Sequence, residues 1–64
     1  MSLGDRIRDE RVKRGWSQAM LAERSGVSRT TIARVELGNN VSTASLSKIA
    51  AALDLSIELS ERVF

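Results

Sequence analysis

Three glycines at nearly even spacing, Gly15, Gly26 and Gly38, each followed within a few residues by a serine, Ser17, Ser28 and Ser42, constrain this chain more than any other feature. Glycine adopts the left-handed backbone that ends a helix. Serine's hydroxyl accepts one of the orphan amides that open the next helix. The alternation cuts the sequence into short helices. The first spans Leu3 to Arg14, with Leu3 and Ile7 on one face and two acid-before-base pairs, Asp9 with Lys13 and Glu10 with Arg14, each adding a few tenths of a kcal/mol. The second spans Gln18 to Ser25 with Leu21 and Ala22 turned inward. The third spans Arg29 to Leu37 with Ile32 and Val35 inside. The fourth opens at Ser42, and Leu46, Ile49, Ala50 and Leu53 recur at i, i+3, i+4, i+7 as an amphipathic stripe. On that reading Ser45, Lys48 and Ala52 face outward.

After Asp54 the period changes. Leu55, Ile57 and Leu59 alternate with Ser56, Glu58 and Ser60, which is the pattern of a half-buried strand. One strand cannot satisfy its own backbone, and no second strand candidate exists in the sequence. The expectation is a strand that pairs with its copy in another subunit about a two-fold axis, through Leu55, Ile57 and Leu59. A helical tail packed on the domain is the alternative. The chain thus divides into residues 1–54, a helical domain, and 55–64, a dimerisation tail.

With 64 residues the chain holds a single small domain, of a size that leaves stability marginal without a partner. Cysteine and histidine are both absent, so thiolate and imidazole ligands are unavailable, as is the commonest general base. Asp5, Asp9 and Glu10 stand among basic residues on one short helix and read as a solvated face. No side-chain set resembles a nucleophile with its activating base, and neither a cofactor nor a metal is expected. Residues 1–10 lack the apolar run of a secretion signal. The longest mostly apolar stretch, Ile49 to Leu53, is too short to span a bilayer. A cytoplasmic protein that does not engage membranes is the expectation.

Charge is unevenly distributed. Residues 1–34 carry eight bases and four acids, whereas residues 35–64 carry two bases and four acids. A basic half joined to an acidic half suits a nucleic-acid face opposite a face of another kind; a mixed solvated surface is equally compatible. The sharper signal lies in Ser17 to Gly38. Ala22 is small where two helices must approach closely, Gly26 allows a tight turn, and Ile32 and Val35 fasten the second helix of the pair. Together they describe two short helices meeting at a steep angle.

The segments Leu3-Gly4-Asp5-Arg6-Ile7-Arg8, Arg14-Gly15-Trp16-Ser17-Gln18, Leu21-Ala22, Ser25-Gly26-Val27-Ser28, Thr31-Ile32, Glu36-x-Gly38 and Leu46-x-Lys48-Ile49-Ala50-x-Ala52-Leu53 resemble the lambda-repressor-like, or XRE (Cro/CI) type, helix-turn-helix domains. The likeness covers roughly residues 3–56. The tail from Leu53 to Leu59 is similar, more narrowly, to HipB-type antitoxins, in which a C-terminal strand joins its dimer mate. Val41 departs from the proline common at that position, and Met20 stands where helix 2 is usually polar, as an exposed methionine.

The resemblance implies a mainly α, compact four-to-five-helix domain with a short C-terminal β-strand that pairs across a dimer. It implies a DNA-binding transcriptional repressor acting as a homodimer on a palindromic operator. The alternative is an antitoxin or interaction module that holds a toxin or other protein and autoregulates its operon. The third helix, 29–37, would enter the major groove with its N-terminal residues at the base edges. Arg29, Thr30 and Arg34 would contact bases, arginine through guanine O6 and N7. Ser17, Gln18, Ser28, Thr31, Asn39 and Asn40 would touch the phosphate backbone, although serine caps and an asparagine turn explain most of these equally well. Arg11 and Glu36 would form a structural ion pair between helices 1 and 3, and Trp16 would pack at the edge of the core.

Overall fold

The computed structural model describes residues 2–56, in which four helices follow one another: α1 (Leu3–Lys13), α2 (Gln18–Ser25), α3 (Arg29–Glu36) and α4 (Thr43–Ala52). Each helix opens on a serine in extended backbone, Ser2, Ser17, Ser28 and Ser42. The hydroxyl of each accepts the amide three residues on, from Asp5, Met20, Thr31 and Ser45. Ser2 and Asp5 complete a reciprocal capping box, which places a carboxylate at the positive end of α1. Gly26 ends α2 at φ +76° and returns its amide to Ala22 O. α1 and α3 end one residue earlier than the sequence suggests, because Arg14 and Leu37 serve as their C-caps.

α2 packs on α3 and on α4, and α1 packs on α3. Ile7, Leu21, Ile32, Ile49 and Leu53 meet in the centre with no exposed surface, one or two from each helix or its cap. Burying each such side chain contributes about 1.5–3 kcal/mol relative to leaving it in water. Trp16, Val27, Val41, Leu46 and Ala52 close the rim. Ala52 therefore faces inward where outward was expected, and Ala51 takes the exposed position. Met20 is half-buried rather than exposed, so its apolar side chain finds shelter within the domain itself.

Gly4 has a role that its place in the sequence conceals. A Cβ built there would overlap the Val35 carbonyl oxygen and lie 3.1 Å from that of Glu36. The absent side chain is what lets the start of α1 cross directly over the end of α3.

No strand occurs among the described residues. Leu55, expected to begin one, instead donates its amide to Ala50 O at 2.9 Å and packs against the core. It completes the closing turn of α4, with its side chain partly buried against the core. Ile57 and Leu59, the remaining residues of the expected dimer strand, lie outside the described residues. Asp54, just before Leu55, adopts a left-handed backbone at φ 60°.

Candidate nucleic-acid interface

α3 has two contrasting sides. Ile32 and Val35 are buried against the core, while Arg29, Thr30, Arg34 and the capping Leu37 are exposed. At 3.6 residues per turn, Thr30 and Leu37 fall almost in line two turns apart. Arg29 and Arg34 lie to either side of that line, so the exposed face has an uncharged centre and cationic margins. All three residues expected at base edges are thus brought onto one solvent-facing surface.

The residues expected at phosphates are divided. Ser17 and Ser28 act as caps, with Oγ 3.1 Å from the Met20 and Thr31 amides respectively. Ser28 Oγ also lies 2.9 Å from Thr31 Oγ1, which ties those two hydroxyls together. Asn39 and Asn40 are exposed in the loop after α3, where the Asn39 amide donates to Arg34 O at 2.9 Å and holds the loop to the helix end. Gln18 begins α2 half-buried, its Nε2 donating to Glu36 Oε1 at 3.2 Å.

That last contact belongs to a network beneath the exposed face. Arg11 Nε and Nη2 donate to the two Glu36 carboxylate oxygens at 2.7 and 2.9 Å, a bidentate fork. Arg11 Nη1 donates to Trp16 O at 2.9 Å. The hydrogen bonds that Arg11 donates to Glu36 raise its pKa above the usual value, against the opposing effect of burial. With 13% and 5% of their side chains exposed, the pair is screened little by solvent. One carboxylate thereby fixes α1, the turn before α2, the first residue of α2 and the end of α3. No described side-chain polar atom is buried without a partner.

A second cluster joins the far ends of α1 and α4. Glu10 accepts from Arg14 at 2.7 Å, with Arg6 and Lys13 each at 3.5 Å. Lys13 thus pairs with Glu10 one turn back rather than with Asp9. Arg14 lowers the Glu10 pKa, mainly through that hydrogen bond. The other arm of Arg14 donates to Leu53 O at 2.8 Å. Trp16 sits at the edge of the core under the Arg24 guanidinium, 4.5 Å from the ring centroid, which places its ring within the fold.

Between α1, the start of α2 and the outer half of α3 lies a notch of about 370 Å³ lined by Arg8, Arg11, Gln18, Ala33, Glu36 and Leu37. Neither Arg8 nor Leu37 stands out in the sequence, where one is an arginine among many and the other a leucine at helical spacing. Among the described residues, no group of acidic side chains is arranged to hold a metal ion, and no helix is long and apolar enough to cross a membrane.

Comparison with known proteins adds three relatives. The helix-turn-helix family model matches residues 7–60. The chain is 40% identical over 58 residues to a Haloquadratum walsbyi protein described as an HTH-type transcriptional regulatory protein, covering 91% of this chain and 15% of that one. It is 37% identical over 57 residues to the HTH-type transcriptional regulator SinR of Bacillus subtilis, covering 86% of this chain and 51% of SinR. The crystal structure of SinR in complex with DNA superposes with a TM-score of 0.76 at 37% identity, over 86% of this chain and 90% of that one. The HipA–HipB–O2–O3 complex contains a match with a TM-score of 0.78 at 30% identity, over 92% and 84% of the two chains. The chain spans about half the length of SinR and a smaller share of the haloarchaeal protein.

Proposed function

The chain belongs to the helix-turn-helix family, and from that footing we propose that it is a sequence-specific double-stranded DNA-binding transcriptional repressor, acting as a homodimer on a palindromic operator. The observation that carries the reading is the exposed face of α3, where Arg29, Thr30 and Arg34 stand together on a helix fastened from behind by Ile32 and Val35. A helix held this way fits the major groove, with arginine reading guanine and threonine offering a methyl to thymine. Ser17, Gln18, Ser28, Thr31, Asn39 and Asn40 are the backbone contacts of this reading. Gln18 contributes its main-chain amide and the second N–H of its side-chain amide, the first being donated to Glu36. The similarity to SinR, which has been crystallised with DNA, supports the same assignment. The tail, 55–64, supplies the dimer contact through the part-exposed Leu55 with Ile57 and Leu59, on the strength of its period-two sequence.

A second reading, favoured by the similarity to HipB in a complex with HipA, makes the chain the DNA-binding partner of another protein. Selection of sites from a random duplex library by the purified chain at about 0.15 M salt, where nonspecific phosphate binding is weak, separates the two. The repressor reading expects an enriched palindrome with half-sites about one helical turn apart, and relaxed preference at single base pairs in Arg29→Ala and Arg34→Ala. A folded chain that enriches nothing points to the second reading.

A further inference from the structure

We propose that the notch between α1 and the outer end of α3 seats one sugar–phosphate unit of the DNA backbone, with Arg8 taking the phosphate and Leu37 packing on the deoxyribose. The inference rests on the DNA-binding reading above and extends its footprint onto α1.

Leu37 is the observation that demands an account. It is 79% exposed, against 39% for Leu3 and 58% for Val12, the other exposed large apolar residues among those described. It also lies in line with Thr30 on the outward face of α3, so whatever approaches Thr30 along that helix comes over Leu37 as well. Ala33, one turn before it, continues the apolar lip into the notch.

The charge in the notch is the second observation. Glu36 lines it, but both its oxygens are engaged by Arg11, one also by Gln18, and its side chain is 5% exposed. Arg11 is consumed in the same fork. Arg8 remains, an exposed guanidinium on the rim that forms no ion pair among the described residues. The notch therefore offers one cation that forms no close ion pair among the described residues, with the Asp5 charge as its neighbour one turn back on α1, facing an apolar lip. A nucleic-acid backbone presents the matching pair at neighbouring positions, an anionic phosphate and the C–H face of a sugar. A protein surface would have to supply a carboxylate beside an apolar side chain. Continuity with the Arg29, Thr30 and Arg34 face favours the nucleic acid.

Fluorescence anisotropy of the full chain on a short mixed-sequence duplex, titrated at several salt concentrations, tests this. Each phosphate contact contributes about 0.9 to the slope of log K against log salt, so Arg8→Gln should flatten the slope by about 0.9 and weaken binding about eightfold at about 0.1 M salt. Arg8→Lys, which keeps the charge, should retain the original slope; a slope lost in both variants would overturn the assignment. Leu37→Ser should weaken binding about fivefold at every salt concentration, through lost apolar contact, with the slope unchanged. Identical titrations for Arg8→Gln and the unsubstituted chain remove Arg8 from the footprint. A Leu37→Ser variant with unaltered affinity but reduced self-association makes the lip a protein contact and overturns the sugar assignment. If the unsubstituted chain binds no duplex, the DNA-binding reading itself falls.

Discussion

Replacing Glu36 with leucine removes its charge with only a modest gain in side-chain volume, so it chiefly reads what the Arg11–Glu36 fork contributes. In the variant the Arg11 guanidinium stays largely buried, retaining its bond to Trp16 O and losing two short ones. Breaking a buried pair from one side costs about 3–5 kcal/mol. The surviving bond and the remaining solvent access bring the expected loss to about 2.5 kcal/mol. For 64 residues a total stability of roughly 3–10 kcal/mol is expected, so this is a large share. It corresponds to a fall in Tm of about 10–20 °C. Arg11→Leu should cost a similar amount, since it strands a carboxylate and leaves Trp16 O without its donor. The double variant removes both charges and should cost no more than either single one, a coupling of about 2.5 kcal/mol. Urea melts followed by far-ultraviolet circular dichroism read all four proteins. Two single losses below about 1 kcal/mol, or a double loss equal to their sum, would refute the idea that the pair acts as one buried unit.

Gly4→Ala should destabilise by about 2 kcal/mol, because the added methyl meets main-chain oxygens that cannot turn away, despite alanine's better helix propensity; a neutral or stabilised variant in the same melts would show that α1 has room to shift. Asp54→Gly should raise stability by about 0.5 kcal/mol, relieving a left-handed residue and a carboxylate at the negative end of α4; a lower urea midpoint would count against both causes. Glu10 has a folded pKa depressed below its usual 4.5, first by the Arg14 hydrogen bond. Its contribution is therefore present above about pH 4.5 and lost as pH falls through the lower folded value. Midpoints of the unsubstituted chain and Glu10→Gln should differ at neutral pH and converge on acidification, and a constant difference would remove Glu10 from the acid response.

What the sequence revealed was local. Gly26 and the serine caps act within a few residues of themselves, so the helices and their starts could be read directly. The inward faces of α2 and α3 followed from periodicity. The features it concealed depend on where one helix crosses another. Gly4 looks like an ordinary glycine at the head of a helix until α3 lies beneath it. Lys13 has acids both three and four residues back, and spacing alone does not choose between Asp9 and Glu10. Leu55 fits a strand pattern and a helix-closing turn equally well, and the core beside it decided for the turn. In the candidate interface, Arg29, Thr30 and Arg34 were implied by the family resemblance, and the period of α3 fixed only its inward side. The engagement of Gln18 by Glu36 and the notch beside Leu37 are products of packing between elements distant in the chain.

The four helices contain 11, 8, 8 and 10 residues, all below the length at which an isolated helix holds in water. None can outlast the others, so the order of α3 is a property of the whole domain rather than of its own sequence. Amide hydrogens in α3 should then exchange through the same global opening as those in α4, which it need not touch. Any agent that loosens the core anywhere would withdraw the proposed recognition surface everywhere at once, giving this small domain an all-or-none availability to whatever binds that face.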